Sequence, residues 1–424
     1  MASVCIYFQV HQPNRLRRYS VFDSDPFYFD SAKNAEICRK IAEKCYRPAT
    51  NLILDLVRRH QGRFKVAYSI SGVCLDQWAE FCPDVIDTFK RLSDTGCCEF
   101  LGETYHHSLS FLYSREEFAE QVALHSRRIQ DTFGQTPRVF RNTELIYNND
   151  LAHFVAGMPD RHAEGGSKPR WLGAICEGAD HLLGYRSPNY VYKPPHTGLG
   201  PHGKPFGVLL KNYRLSDDVA FRFSNRAWAE WPLTAEKFAR WVHQINGDGY
   251  LCNLFMDYET FGEHQWADTG IFNFLDALPE KIFDIAPGHN DFCTPSEAFH
   301  RFDPVGEYDV PHMISWADTE RDLSAWLGNA MQSNALNETY RLERAVKQMV
   351  QRARASGDEH AIAMAHFVLQ DWRKITTSDH FYYMCTKYWA DGDVHKYFSP
   401  YESPYDAYIN FMNVLDNLRS RSGA

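Results

Sequence analysis

Seven short apolar segments recur through the first 257 residues, none longer than eight residues, and helical spacing separates most of them. They are VCIYFQV (4–10), KVAYSIS (65–71), CCEFLG (97–102), RVFRNT (138–143), WLGAIC (171–176), FGVLLKNY (206–213) and YLCNLFMD (250–257). Several are apolar throughout, as strands buried on both faces are. Strands alternating with helices imply parallel pairing through crossovers, and so an α/β fold. Seven such strands crowd a small open sheet, so the pattern predicts a closed or nearly closed barrel.

The helix signals fit this reading. Ser114-Arg-Glu-Glu117 has the form of a capping box ahead of a helix running to Gly134. Thr234 is placed to cap a helix ending near Gly247, and Pro48 to open the second helix of the first connection. Residues 158–205 are rich in Gly, Pro, His and Lys and predict loop excursions around the fifth strand. Beyond Asp303-Pro304 and Val310-Pro311 only helical spacing is found, over 318–356, 359–374 and 403–420. The sequence therefore divides into a barrel over 1–300 and a C-terminal helical bundle over 301–424 that reaches the barrel's cleft.

Composition excludes several classes. The formal charge is −9 without a long basic run, which gives no footing for nucleic acid or an anionic membrane. No run of 18 apolar residues is present, and the start MASVCIYFQV lacks the basic and apolar regions of a signal peptide. The 11 cysteines are odd in number and form no CxxC pair, the pattern of reduced buried thiols in a cytoplasmic protein. Oligomeric state is left open.

In a parallel barrel, chemistry sits at the carboxyl ends of the strands. Strand one ends in His11-Gln12-Pro13, strand three carries Glu99 and runs into Glu103, His106 and His107, and strand four ends at Glu144. Strand seven ends in Asp257-Tyr258-Glu259, with Glu263 and His264 close behind. Three carboxylates within 257–263 repel one another at neutral pH and readily raise one pKa, as a general acid requires. Two carboxyl groups on well-separated strands, Glu144 and Asp257, meet the demand of glycoside hydrolysis for one on each side of a scissile bond.

His11-Gln12-Pro13, Glu99 in Gly96-Cys-Cys-Glu99, FRNTEL (140–145), MDYETFGEH (256–264) and ERDLSAWLGN (320–329) resemble, in order, the five signature regions of glycoside hydrolase family 57. The likeness extends through ETYHHSL (103–109) and LSDDVAFRFS (215–224) and is nearest to the α-amylase-like branch. The resemblance implies an incomplete (β/α)7 barrel with a C-terminal helical bundle and a retaining mechanism on α-glucans or maltooligosaccharides. In it Glu144 matches the nucleophile and Asp257 the acid/base. His11, Glu99 and Glu259 match substrate-contacting or pKa-setting positions, and Asp322 and Trp326 match the fifth region. The family often has Trp or Pro near the nucleophile, whereas here the context is Asn142-Thr143-Glu144. No cofactor and no metal enter this chemistry.

Trp266, which follows the acid/base motif, is the best aromatic candidate for a sugar subsite, whereas Trp228 and Trp231 read as packing. Glu103 reads as a supporting residue, His107 as structural, His106 and His264 as open, and Asp379-His380 as part of a helix start at Ser378, with reach into the cleft as the alternative. Three alternatives are set against hydrolysis. A 4-α-glucanotransferase shares the covalent intermediate and differs in the acceptor. A metal-dependent enzyme on a similar barrel would take His11, His106 and Asp257 as ligands. A non-catalytic carbohydrate-binding relative would have lost the nucleophile or the acid, and both are present.

Overall fold

A computed structural model describes residues 1–159, 170–200, 203–387 and 399–423. All seven predicted strands form, from two residues longer to three residues shorter than their apolar runs. In chain order they are β1 (Ala2–Val10), β2 (Val66–Ile70), β3 (Cys98–Phe100), β4 (Val139–Arg141), β5 (Gly173–Glu177), then β7 (Gly207–Lys211) and β8 (Leu251–Asp257). Two short strands were not predicted: β6 (Val191–Tyr192) and β9 (Asn290–Phe292). Both are too brief to leave a period in the sequence.

The strands form two parallel sheets. One runs β3-β2-β1-β8, with β9 joined to the start of β1, and the other β4-β5-β7, with β6 antiparallel on β7. β1 is central and buried at all nine positions, which is why its sequence does not alternate. The sheets meet at both edges. Gly102 bridges to Phe140 between β3 and β4. On the other side Asn212 N–H donates to Asn253 O at 2.9 Å, and Asn253 Nδ2 donates to Leu210 O at 2.9 Å. An asparagine side chain thus stands where a strand ladder between β7 and β8 would otherwise run.

The caps are largely as read. Ser114 Oγ accepts from Glu117 N–H at 3.1 Å and opens helix Arg115–Phe133, which Gly134 ends in the left-handed conformation (φ 71°). The capping box is only half formed, because the Glu117 carboxylate turns to Arg373 at 2.8 and 3.1 Å instead of its own cap. Thr234 caps Ala235–His243, and Pro48 lies in the first turn of Arg47–Arg59. Of the excursion predicted near 158–205, residues 160–169 and 201–202 lie outside the described residues. The rest holds β5, the short helix Asp180–Leu183 and β6.

Beyond the linker lie helices Ala330–Arg341, Glu343–Ser356, Glu359–Ile375 and Pro404–Ser422. They bury Leu336, Val346, Trp372, Phe411 and Leu415 around one core, together with Leu16, Tyr28, Leu109 and Ile146 from earlier in the chain. Separate apolar clusters lie beneath the strands. All eleven cysteines are buried free thiols. Among the described residues, no helix is long and apolar enough to cross a membrane.

Candidate active site

Strand register brings the polar chain ends to one rim. Gln9 pairs with Ser69 on one side and Asp257 on the other, so His11, Ser71 and Asp257 emerge together. The Gly102–Phe140 bridge sets Glu103 level with Arg141. Glu144 follows β4 with φ 58° and ψ 25°, and Leu145 follows with φ 51°. Two successive non-glycine residues in the left-handed region carry strain. The turn is held by Asn142 Nδ2, which donates to Ile146 O at 3.0 Å, and by Trp316 N–H, which donates to Glu144 O at 3.2 Å.

Three donors converge on the Glu144 carboxylate. His107 Nε2 lies 3.3 Å and Ser378 Oγ 3.3 Å from Oε1, and Trp316 Nε1–H donates to Oε2 at 2.8 Å. The other ring nitrogen of His107 is 3.0 Å from Glu103 Oε2. Burial opposes charge on His107, but its bonds to the two carboxylates outweigh that and raise its pKa to about 9. Burial pushes Glu103 up, and His107 and Arg141 pull it down to about 2. Burial likewise pushes Glu144 up, and the His107 bond and charge, with Arg141, bring it below its ordinary value. Asp257 goes the other way. Burial and the Glu144 charge lift it to about 6, against the pull of Arg141, Lys211 and His107. One carboxyl is therefore held ionised while the other keeps its proton into mildly acidic solution.

Glu259 is buried next in line, and Tyr46 OH donates to its Oε1 at 2.5 Å. Burial and the Asp257 charge raise it to about 8. Its neighbour Glu263 turns away to Lys40 and Lys44 at 2.8 and 3.0 Å. Gly262 makes that turn possible: it has φ 111°, and a Cβ there would stand 1.9 Å from Lys44 O.

His11 is oriented from both sides. Ser71 Oγ accepts Cys74 N–H at 3.3 Å, which leaves its own hydrogen for His11 Nδ1 at 2.7 Å. His11 Nε2–H then donates to Asp379 Oδ2 at 3.0 Å, a neutral tautomer. Burial and the nearby His107 charge lower its pKa, in keeping with this assignment. Arg141 lies beneath, fully buried, 4.0 Å from Glu103 Oε2 and 5.1 Å from the Trp316 ring centre. None of its three guanidinium nitrogens has a hydrogen-bond partner among the described residues.

Three of the candidate residues stand elsewhere than expected or serve other ends. Glu99 points to the opposite end of the strands, where Ser296 N–H and Oγ–H donate to it at 2.9 and 2.5 Å in the first turn of helix Pro295–Arg301, whose own cap is Thr294. The carboxylate that β3 delivers to the rim is Glu103, four residues on. Asp322 is exposed and accepts from Ser324 N–H at 2.8 Å, a turn cap. Trp326 is 1% exposed and packs among the C-terminal helices beside Tyr382. Trp266 is 60% exposed, with Lys44 Nζ 5.4 Å from its ring centre.

Trp316, Arg141 and the bridging role of His107 were not read from the sequence, and Asp379, read first as part of a helix start, is the group that meets His11. The one available signal was the four-residue spacing of Glu103 and His107. Among the described residues, no three His, Cys, Asp or Glu side chains are grouped to hold a metal ion. The alternative ligands diverge: His11 is committed to Ser71 and Asp379, and His106 Nδ1 has no partner among the described residues.

A sequence profile described as glycosyl hydrolase family 57 matches residues 5–311. A relative from Methanocaldococcus jannaschii, named provisionally as an alpha-amylase, is 41% identical over 414 residues, covering 96% of this chain and 82% of its own. The GH57 branching enzyme of Thermococcus kodakaraensis superposes with a TM-score of 0.65 at 14% identity, over 99% of this chain and 94% of that enzyme. The 4-alpha-glucanotransferase of Thermococcus litoralis does so with a TM-score of 0.58 at 14% identity, over 90% of this chain and 56% of that enzyme. The chain thus spans little more than half of the latter's length, and at such identity both likenesses concern the fold.

Proposed function

The chain belongs to glycosyl hydrolase family 57, and on that premise we propose that it is a retaining, α-amylase-like hydrolase of α-1,4-glucosidic bonds in α-glucans or maltooligosaccharides. The two strand groups, joined at both edges, are read as one incomplete (β/α)7 barrel over 1–300. Residues 301–424 are read as a C-terminal helical bundle that, with the loop carrying Trp316, completes the cleft through Trp316, Ser378 and Asp379. Eleven buried thiols favour a cytoplasmic location.

Glu144 attacks the anomeric carbon while Asp257 gives its proton to the glycosidic oxygen. A glycosyl ester on Glu144 results, and Asp257 then takes a proton from the water that hydrolyses it. The observation that carries this reading is the split between the two carboxyl groups, one lowered and one raised to about 6. His107 stabilises the anionic nucleophile, and neutral His11 offers a packed ring wall at the sugar's side. Glu259, protonated near neutrality, supports Asp257 without adding charge.

Glu144→Gly is expected to abolish hydrolysis, and azide to restore cleavage of an activated glycoside with the opposite anomeric outcome. Asp257→Gly is expected to retain cleavage of a good leaving group and to fail on starch-like bonds. Near-normal activity of Glu144→Gly on a natural substrate removes the assignment. A second reading, 4-α-glucanotransfer, is favoured by exposed Trp266 beyond the end of β8, a platform on which an acceptor glucan can stack. Products longer than the maltooligosaccharide supplied would mark transfer, and glucose with short products alone would mark hydrolysis.

A further inference from the structure

We propose that Arg321 is a positioning residue for the nucleophile: it fastens residues 314–322 across the strand ends so that Trp316 fixes both the backbone and the carboxylate of Glu144. This rests on the reading of Glu144 as nucleophile. Trp316 reaches Glu144 twice, from its backbone N–H to the carbonyl at 3.2 Å and from Nε1–H to Oε2 at 2.8 Å. The segment carrying it is bridged to Tyr147 at Ile314, and Lys387 holds Asp318 and Glu320 at 3.2 and 2.9 Å, but Trp316 itself lies in no helix or strand and needs a hold of its own.

Arg321 does so from within the segment. Its backbone is left-handed (φ 54°), and Ser315 N–H donates to its carbonyl at 3.1 Å, closing the segment into a loop. Its guanidinium then makes three contacts at once. Nη1 donates to Trp316 O and lies 3.4 Å from Glu177 Oε2, and Nη2 lies 3.4 Å from Asp217 Oδ2. Glu177 is the fully buried last residue of β5, and Asp217 lies in helix Tyr213–Ala220. Both anions therefore come from the barrel side.

Lys211, the last residue of β7, completes the arrangement. Its Nζ is 3.0 Å from Asp217 Oδ1 and 3.7 Å from Glu177 Oε2. Two cations and two anions alternate, so neither buried carboxylate lacks a counter-charge when the loop is seated. Lys211 Nζ and Arg141 Cζ also lie 5.4 and 5.1 Å from the Trp316 ring centre, which holds the indole in place. A lysine at 321 has no fork with which to meet a carbonyl and two carboxylates together.

The seated loop acts on the chemical step. Removing it takes one donor from a carboxylate that must be ionised, and frees a strained turn that must aim it. Glu144 is also faced by His107, Arg141, Asp257 and Asp379, which the variants below leave in place.

The test compares Arg321→Ala, Trp316→Phe and the double variant on a maltooligosaccharide, with kcat and KM measured across pH. Each single variant is expected to lower kcat about 10-fold with KM within about twofold, and to move the acidic limb to higher pH by up to about one unit. The double variant is expected to be no worse than Trp316→Phe alone, because both changes act through one contact. Added guanidinium is expected to restore part of the Arg321→Ala rate and return its acidic limb. A wild-type acidic limb in Arg321→Ala, or multiplied losses in the double variant, overturns the proposal. If Arg321→Ala does not fold, Arg321→Lys takes its place, and wild-type kcat and pH profile there overturn it equally. Azide rescue of Glu144→Gly is measured alongside. Its failure removes the nucleophile assignment itself, whereas its success with an unaffected Arg321 variant removes only the role given to Arg321.

Discussion

The imidazole rings of His11 and His107 stack face to face, with centroids 4.0 Å apart and planes 16° from parallel. They carry different charge. His107 lies between the carboxylates of Glu103 and Glu144 and is cationic, while His11, between Ser71 and Asp379, is neutral. Two cations at that separation would repel, so the neutral state of one ring follows from the charge of the other.

The charge on His107 should be felt in the rate profile. In His107→Gln the cation that lowers Glu144 is gone, so the nucleophile needs a higher pH to ionise. The acidic limb of kcat/KM is expected to move up by about one unit, with a loss of about 10- to 100-fold at the optimum. A profile that superposes on the wild type would show that His107 only packs.

On the proposed assignment the basic limb belongs to Asp257. Its pKa is raised to about 6, and it must be protonated to act as the acid. Activity on unactivated glucans is therefore expected to fall as pH rises through about 6. With an aryl glycoside whose leaving group needs no proton, the fall should disappear from the glycosylation step, as a burst measurement over pH 5–8 would record.

Glu259 should act on stability more than on this profile. Its folded pKa, about 8, lies above its ordinary value of 4.5, so the native state holds a proton that the unfolded chain releases between them. The stabilisation from this group is complete below about 4.5 and is lost as pH rises toward 8. Glu259→Gln is expected to flatten the decline of Tm between pH 5 and 8. It should leave the basic limb in place, since Glu259 is already neutral where Asp257 titrates. An unchanged slope of Tm against pH would contradict the raised value.

The Glu117–Arg373 pair joins helix Arg115–Phe133 to helix Glu359–Ile375, with side chains 0% and 6% exposed. Glu117→Gln leaves a buried cation short of its counter-charge, and a loss of about 3–5 kcal/mol in chemical denaturation is expected. A loss below about 1 kcal/mol would mean that Glu120 and the other nearby carboxylates suffice.

Glu99 offers the opposite kind of check. As the acceptor for Ser296 in the first turn of helix Pro295–Arg301, its loss should cost stability and not turnover. Glu99→Ala is expected to lower stability by about 1–2 kcal/mol and to leave KM within twofold. A KM raised tenfold would restore it to the substrate site.

The candidate residues that the structure brings to one rim are those tied to strand ends. His11, Glu144, Asp257 and Glu259 follow directly from apolar runs whose limits were legible, and the structure brings them to one rim. Glu99 failed for a local reason. A residue within a buried strand faces the inside, but nothing in the run tells which end of the inside its carboxylate occupies. Asp322 and Trp326 failed because the fifth region lies in irregular chain, where spacing fixes no direction. One serves a turn and the other the apolar core among the C-terminal helices.

What the sequence determined by itself was the alternation of buried strands and helices, the strand ends and the family. These rest on local periodicity and on short runs of residues, which survive without knowledge of distant neighbours. Tertiary structure alone decided which groups complete the site. Trp316 meets Glu144 across 172 positions and Ser378 meets it across 234, while Asp379 meets His11 across 368. It also decided the charges, because a pKa depends on burial and on groups brought near by packing. Glu144 and Asp257 are both carboxyl groups at strand ends, and only the cation of His107 on one side and the desolvation of Asp257 on the other set them apart.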